Sequence, residues 1–163
     1  MVRALTLDFV AIGVGTIAVS HRPRVKSLPA MRSLGATHLV SLLSTREGAR
    51  EIGAAARAAG LEWVWVELAN GDVPPPARDH ELASALSGLT QILREGAGVV
   101  VHCSAGIHRT GMFSYALLRA TGLGPEDAIA TLRRSRVTTA DGVGEHRLSW
   151  GDRLSVTMGW AAR

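Results

Sequence analysis

The stretch Val99-Val100-Val101-His102-Cys103-Ser104-Ala105-Gly106-Ile107-His108-Arg109-Thr110-Gly111 decides how this chain is read. Three β-branched residues suit a buried strand. A short loop with a glycine at its middle follows, and Met112 to Ala120, apolar nearly all round, predicts a central helix. A loop between a strand and a helix start meets free backbone N–H groups and the positive end of the helix dipole, which favour an anion. Cys103, the only cysteine, opens the loop. The thiolate is the nucleophilic form of cysteine, and such a field favours it. Arg109 closes the loop, and its planar fork can hold two oxygens of one phosphate. A nucleophile, a phosphate cradle and a charge clamp therefore share one short stretch.

Outward from this stretch, the chain predicts one α/β domain over residues 1–163, with a mostly parallel sheet and helices on both faces. Two short strands, broken at Gly13 and Gly15, are expected between Leu5 and Val19. Ser27 to Leu34 reads as a short helix that Gly35 ends, and Thr37 to Leu43 as a buried strand. Ser44 and Glu47 stand at capping-box spacing and open a helix through Ala59. Leu61 to Leu68 predicts a strand covered on both faces. The prolines 74–76 compel a loop. Further helices are expected from Asp79 to about Arg94, from Pro125 to about Arg134, and from His146 to Val156.

A length of 163 residues suits a single core, and 47% hydrophobic with 20% charged residues is ordinary for a soluble globular chain. One cysteine excludes an internal disulfide, which suits a reducing, cytoplasmic compartment. No second thiol can shield an oxidised nucleophile, so inactivation by peroxide is expected. Asp8 interrupts the apolar N-terminal run, which falls short of the ~20 residues of a membrane helix, so no membrane role is read. A net charge of +4 raises the prospect of anionic partners. The 18 basic residues are scattered, however. Their one cluster, Arg133, Arg134 and Arg136, ends a predicted helix, where cations complement the dipole, so no nucleic-acid surface is read.

The segment from His102 to Gly111 resembles the signature loop of the protein tyrosine and dual-specificity phosphatases: His-Cys, five residues, Arg, then Ser or Thr. The order of elements, the glycine-rich start and Arg46-Glu47 after a strand resemble the small kinase-associated type of that superfamily. The resemblance implies a metal-independent phosphatase, without cofactor, acting on phosphotyrosine, either alone or together with phosphoserine and phosphothreonine, in a protein or peptide. Cys103 is then the nucleophile, forming a phosphocysteine, where a lone cysteine is otherwise a small buried hydrophobe. Arg109 would bind the equatorial oxygens, or else pair with a structural carboxylate. The amides of Ser104, Ala105, Gly106, Ile107, His108 and Arg109 would complete the cradle, with Gly106 supplying unusual dihedrals. Thr110 would donate to the Cys103 sulfur or act as a helix N-cap. His102 would orient the loop, as its counterpart does in the family. His108 is either simply solvated or adds charge for a second phosphate group.

The leaving oxygen also needs a proton. Family members carry an Asp for it on a separate loop about thirty residues upstream, and Asp72 is the only acid of the loop after Leu61–Leu68. Aligning Asn70-Gly71 with the usual Asp-Gly of relatives places Asn70 there instead, so either Asp72 serves from a shifted loop or the enzyme lacks a strong acid. Asp79 is the poorer candidate. Relatives carry a Gln near the C-terminus to place water. Gln91, the only Gln, is elsewhere, and Glu145 or His146 occupies the matching region, so that role stays unassigned. Asp141-Gly142 nearby reads as a turn. Alternatives are a phosphoinositide or RNA 5′-phosphate substrate, or a phosphate-binding module with little turnover. Neutral Ser104 and Ile107 speak against a lipid substrate. Oligomeric state is not legible.

Overall fold

A computed structural model describes residues 5–160. Its strands are β1 (Val10–Ile12), β2 (Gly15–Ser20), β3 (His38–Ser41), β4 (Glu62–Trp65) and β5 (Gly98–His102). They form one sheet in the order β1-β2-β5-β3-β4. β1 pairs antiparallel with β2 and every other pairing is parallel. The helices are α1 (Leu28–Ser33), α2 (Ala49–Ala58), α3 (Asp79–Arg94), α4 (His108–Ala120), α5 (Pro125–Ser135), α6 (Val137–Gly142) and α7 (Glu145–Met158). Right-handed crossovers decide the faces. β2 to β3 and β3 to β4 step one way across the sheet, placing α1 and α2 on one face. β4 to β5 steps back, which places α3 on the other with α4.

The strand that aims the cysteine is the central one. Val99, Val100 and Val101 are wholly buried between β2 and β3. Each such side chain contributes about 1.5–3 kcal/mol on burial, which makes β5 a rigid base for the loop that leaves it. The loops after β2, β3, β4 and β5 all emerge at the carboxyl edge of the parallel strands, where α/β sheets bind ligands.

Behind that edge, α4 is buried along almost its whole length, as its apolar composition predicts. α7 covers it. The Tyr115 hydroxyl donates to Asp152 Oδ1 at 2.6 Å, and Arg119 Nε reaches the same oxygen at 3.0 Å. A Cβ at Gly151 would lie 2.9 Å from the Tyr115 ring and 3.2 Å from Ala116 Cα, so glycine there lets the two helices approach closely.

Four expectations need correction. β4 is an edge strand and half-buried, not covered on both faces. Its Trp63 and Trp65 rings stack at 5.5 Å, and Arg57 and Arg50 of α2 lie over them at 5.2 and 5.1 Å. Aliphatic stems and cation–π contacts therefore replace a second apolar layer. The helix expected from Ser44 starts instead as a 3-10 turn, Thr45–Glu47, and breaks at Gly48 (φ +86°) before α2. The signature helix begins at His108, four residues earlier than its apolar run. Asp141-Gly142, read as a turn, ends the short helix α6.

Candidate active site

Cys103 directly follows β5 and is 3% exposed, forming the floor of the site. The loop above it is shaped by where its carbonyls go. Ser104 O accepts from the Arg22 amide at 2.8 Å. Gly106 O accepts from Arg136 Nη1 at 2.8 Å and from the buried Thr139 hydroxyl at 2.5 Å, and Ala105 O accepts from the same Arg136 nitrogen at 3.1 Å. With three successive carbonyls held outward, the amides of Ser104 to Arg109 take no backbone carbonyl partner among the described residues. Successive amides left without carbonyl partners in a loop are what an anion nest is made of. Gly106 has φ +72°, and a Cβ there would lie 2.5 Å from Ser20 O, so only glycine fits.

Arg109 is 9% exposed. Its Nη1 and Nη2 grip Glu47 Oε1 and Oε2 at 2.7 and 2.9 Å, and Nη1 also donates to Leu68 O at 2.8 Å. The second of its two readings is therefore seen directly: a structural carboxylate takes its end-on edge. The side-on fork, Nε–H and the outer Nη2–H, meets no protein oxygen among the described residues. It lies beside the Cys103 sulfur, which raises the Arg109 pKa after the larger effects of Glu47 and burial. The Glu47 carboxyl is lowered to about 2, chiefly by its hydrogen bonds to Arg109. Ser44 N and Oγ donate to the same Oε1 at 3.0 and 3.1 Å. The capping box legible from Ser44 and Glu47 is present, and the carboxylate it orients serves the site as well.

His102 is wholly buried. Trp63 Nε1, which can only donate, reaches Ser41 Oγ at 2.9 Å. Cys103 O can only accept, so His102 Nδ1–H donates to it at 3.1 Å, and Nε2 of the neutral ring accepts from the Ser41 hydroxyl at 2.6 Å. Burial pulls the His102 pKa from 6.5 to about 4, so the ring is neutral. It holds the backbone at Cys103.

Thr110 is not an N-cap. The helix starts before it, Ile107 takes the cap position, and the Thr110 hydroxyl is buried without a hydrogen-bond partner among the described residues. His108 is exposed on the rim, its pKa lowered by partial burial and then by the charges of Arg147 and His146. Arg133 and Arg134 lie in the last turn of α5, as the dipole reading expects, and two arginines of the cluster have further partners. Arg133 pairs with Asp141 at 2.5 Å, and Arg136 turns back to the signature loop.

The loop after β4 reaches the same rim. A Cβ on Gly71 would lie 3.2 Å from His108 Cβ. Asn70 Oδ1 accepts from the Asp72 amide at 2.9 Å, so the Asn70 side chain closes a local turn. Asp72 is exposed. Asp79 is bound by Arg153 at 2.7 and 3.1 Å, and that pairing lowers its pKa and keeps it ionised, away from acid duty. Gln91 bonds Glu95 at 3.1 Å on an exposed stretch of α3. Glu145 and His146 stand exposed at the start of α7. Missed from the sequence were Ser41, Arg136, Thr139 and Arg147. Only a shared sheet edge, not spacing, could have pointed to them.

Residues 77–141, which run from the start of α3 through the signature loop into α6, match the family model described as "Tyrosine phosphatase family". No curated protein matches the sequence. The crystal structure of kinase-associated phosphatase, with its catalytic-site cysteine replaced by serine, superposes with a TM-score of 0.76 at 15% identity, covering 99% of this chain and 98% of that one. Tk-PTP in its active form gives 0.70 at 23% identity, covering 87% and 92%. TpbA of P. aeruginosa, a Cys-to-Ser form in complex with phosphotyrosine, gives 0.60 at 19% identity, covering 93% and 90%. Among the described residues no helix is long and apolar enough to cross a membrane. The signature loop thus lies in a segment that matches the tyrosine phosphatase family model, and the whole chain shares its fold with kinase-associated phosphatase.

Proposed function

We propose that the protein hydrolyses phosphotyrosine in proteins or peptides through a phosphocysteine on Cys103. The observation that carries this reading is the side-on fork of Arg109, left over after Glu47 and Leu68 have taken the other donors and set beside the sulfur and the unpartnered loop amides. A phosphoryl group held there presents its equatorial oxygens to Arg109 and to the loop amides, which stabilise the spread charge of the transition state.

The thiolate of Cys103 attacks phosphorus, an S–P bond forms and the P–O bond to the tyrosine breaks. The leaving oxygen takes the proton of Asp72, the acid of a loop that touches the signature helix at His108. Water then attacks phosphorus, giving its proton to the Asp72 carboxylate while the S–P bond breaks and thiolate leaves. The buried Thr110 hydroxyl has no hydrogen-bond partner among the described residues, the sulfur included, and so has its proton available to the thiolate as it leaves. TpbA, of the same fold, is seen with phosphotyrosine, which supports this choice of substrate.

Phosphate release from a phosphotyrosine peptide across pH ~5 to 8, wild type beside Asp72→Asn, tests the assignment. The wild type should give a bell-shaped profile. The variant should lose about two to four orders of magnitude and the limb due to an acid. An unimpaired variant removes Asp72 from the role. An inert wild type removes the phosphotyrosine reading and leaves phosphate binding without turnover.

A further inference from the structure

The acid loop carries no element of its own between Val66 and Pro75, yet three arginines hold it by its backbone. Arg78 Nη1 reaches Glu67 O at 2.9 Å and Arg109 Nη1 reaches Leu68 O at 2.8 Å, both near its root. The third holds its tip. Arg147 of α7 donates from Nε to Gly71 O at 2.6 Å, on the carbonyl that adjoins the Asp72 amide. The same guanidinium donates from Nη1 to Val143 O at 2.8 Å.

Val143 is a fixed point, 1% exposed, and packs on the signature helix: a Cβ at Gly111 would lie 2.7 Å from its side chain. Arg147 thus spans from a buried carbonyl behind the signature helix to the peptide that carries Asp72. Gly71 makes the approach feasible, because a Cβ there would lie 3.3 Å from Arg147 Nη2. The Asp72 amide is occupied in turn by Asn70 Oδ1. Both sides of the Gly71–Asp72 peptide are therefore hydrogen-bonded, and the carboxyl hangs from a plane whose orientation Arg147 sets.

Resting on the reading of Asp72 as the acid, we propose that Arg147 is a positioning residue for proton donation to the leaving group. A purely structural role, capping Val143 at the start of α7, would slow all substrates alike. In kcat/KM, which reports the steps up to phosphocysteine formation, a positioning role acts only where a leaving oxygen needs its proton. Phenolate is a poor leaving group and dinitrophenolate a good one, so the two phosphate esters separate the cases.

The experiment compares wild type, Arg147→Ala, Arg147→Lys, Asp72→Asn and the double variant Arg147→Ala/Asp72→Asn on phenyl phosphate and dinitrophenyl phosphate. Alkylation of Cys103 by iodoacetate serves as a check on the signature loop. Arg147→Ala should lose about tenfold or more in kcat/KM on phenyl phosphate, as expected for one hydrogen bond to a charged donor. It should lose little on dinitrophenyl phosphate, with the alkylation rate unchanged. Arg147→Lys, which can keep the bond to Gly71 O, should recover part of the loss. In the Asp72→Asn background, Arg147→Ala should cost nothing further. Equal losses on both esters, or additive losses in the double variant, would overturn the inference while leaving Asp72 as acid. A fully active Asp72→Asn on phenyl phosphate would overturn the acid assignment, and this inference with it.

Discussion

Arg109 has five N–H donors, and the fold engages three of them, two on Glu47 and one on Leu68 O. The two that remain form one edge of the guanidinium, so under the proposed function a phosphate meets a fork whose direction is set beforehand. Preorganisation of this kind lowers the barrier because no donor has to reorient as charge develops. Glu47→Gln keeps the shape and removes the charge. A charge-assisted hydrogen bond contributes about 1.5–3 kcal/mol, so kcat/KM on a phosphotyrosine peptide should fall about ten- to hundredfold. Steady-state kinetics check this, and an unchanged kcat/KM would mean that Arg109 holds its direction without the pair. Cys103 and Arg109 are legible in the sequence because five intervening residues fix their relation along the chain. Glu47 is not, because it lies 62 residues from its partner and its capping box already accounts for it locally.

At the scale of elements, the signature loop depends on a junction that contributes nothing to its sequence. Arg136, between α5 and α6, and Thr139 of α6 hold the carbonyls of Ala105 and Gly106 outward. α6 is six residues long and ends at Gly142. Its pattern resembles a turn, and only its packing against the loop makes it a helix. The strand β4 escaped for a related reason. Its alternating tryptophans predict burial, whereas their cover is supplied by Arg50 and Arg57 from α2 at a distance no local pattern records. Thr139→Val removes a buried donor at constant volume and should destabilise by about 1–3 kcal/mol. The melting temperature should fall by about 2–4 °C per kcal/mol, and phosphatase activity should fall with it, because Gly106 O is left to Arg136 alone. Calorimetry and kinetics on the same preparation check the pairing of the two effects.

The whole molecule places its site where a parallel sheet must place it, at the carboxyl edge beside the central strand. That much follows from the alternation of strands and helices and from the three valines of β5. The strand order does not, because buried valines fit any interior position. The same molecule sets its own acid limit. His102 is neutral in the fold, its pKa lowered from 6.5 to about 4 by burial. Its contribution to stability is full above pH 6.5 and is lost progressively as pH falls toward 4. Glu47, lowered to about 2, contributes fully above its ordinary 4.5 and loses that contribution only as pH falls toward 2. Melting temperature should therefore begin to fall below pH 6.5, with His102 acting first. A melting temperature constant from pH 7 to pH 4 would contradict a neutral His102 in the network.

The central claim is that phosphate passes through the sulfur of Cys103. Acid quench of the enzyme during turnover of a phosphotyrosine peptide, followed by proteolysis and mass spectrometry, reads that step directly. A phosphoryl group on the peptide that contains Cys103, absent from Cys103→Ser, is the result this account predicts. Turnover with no phosphoryl group on that cysteine, or undiminished turnover by Cys103→Ser, would contradict it.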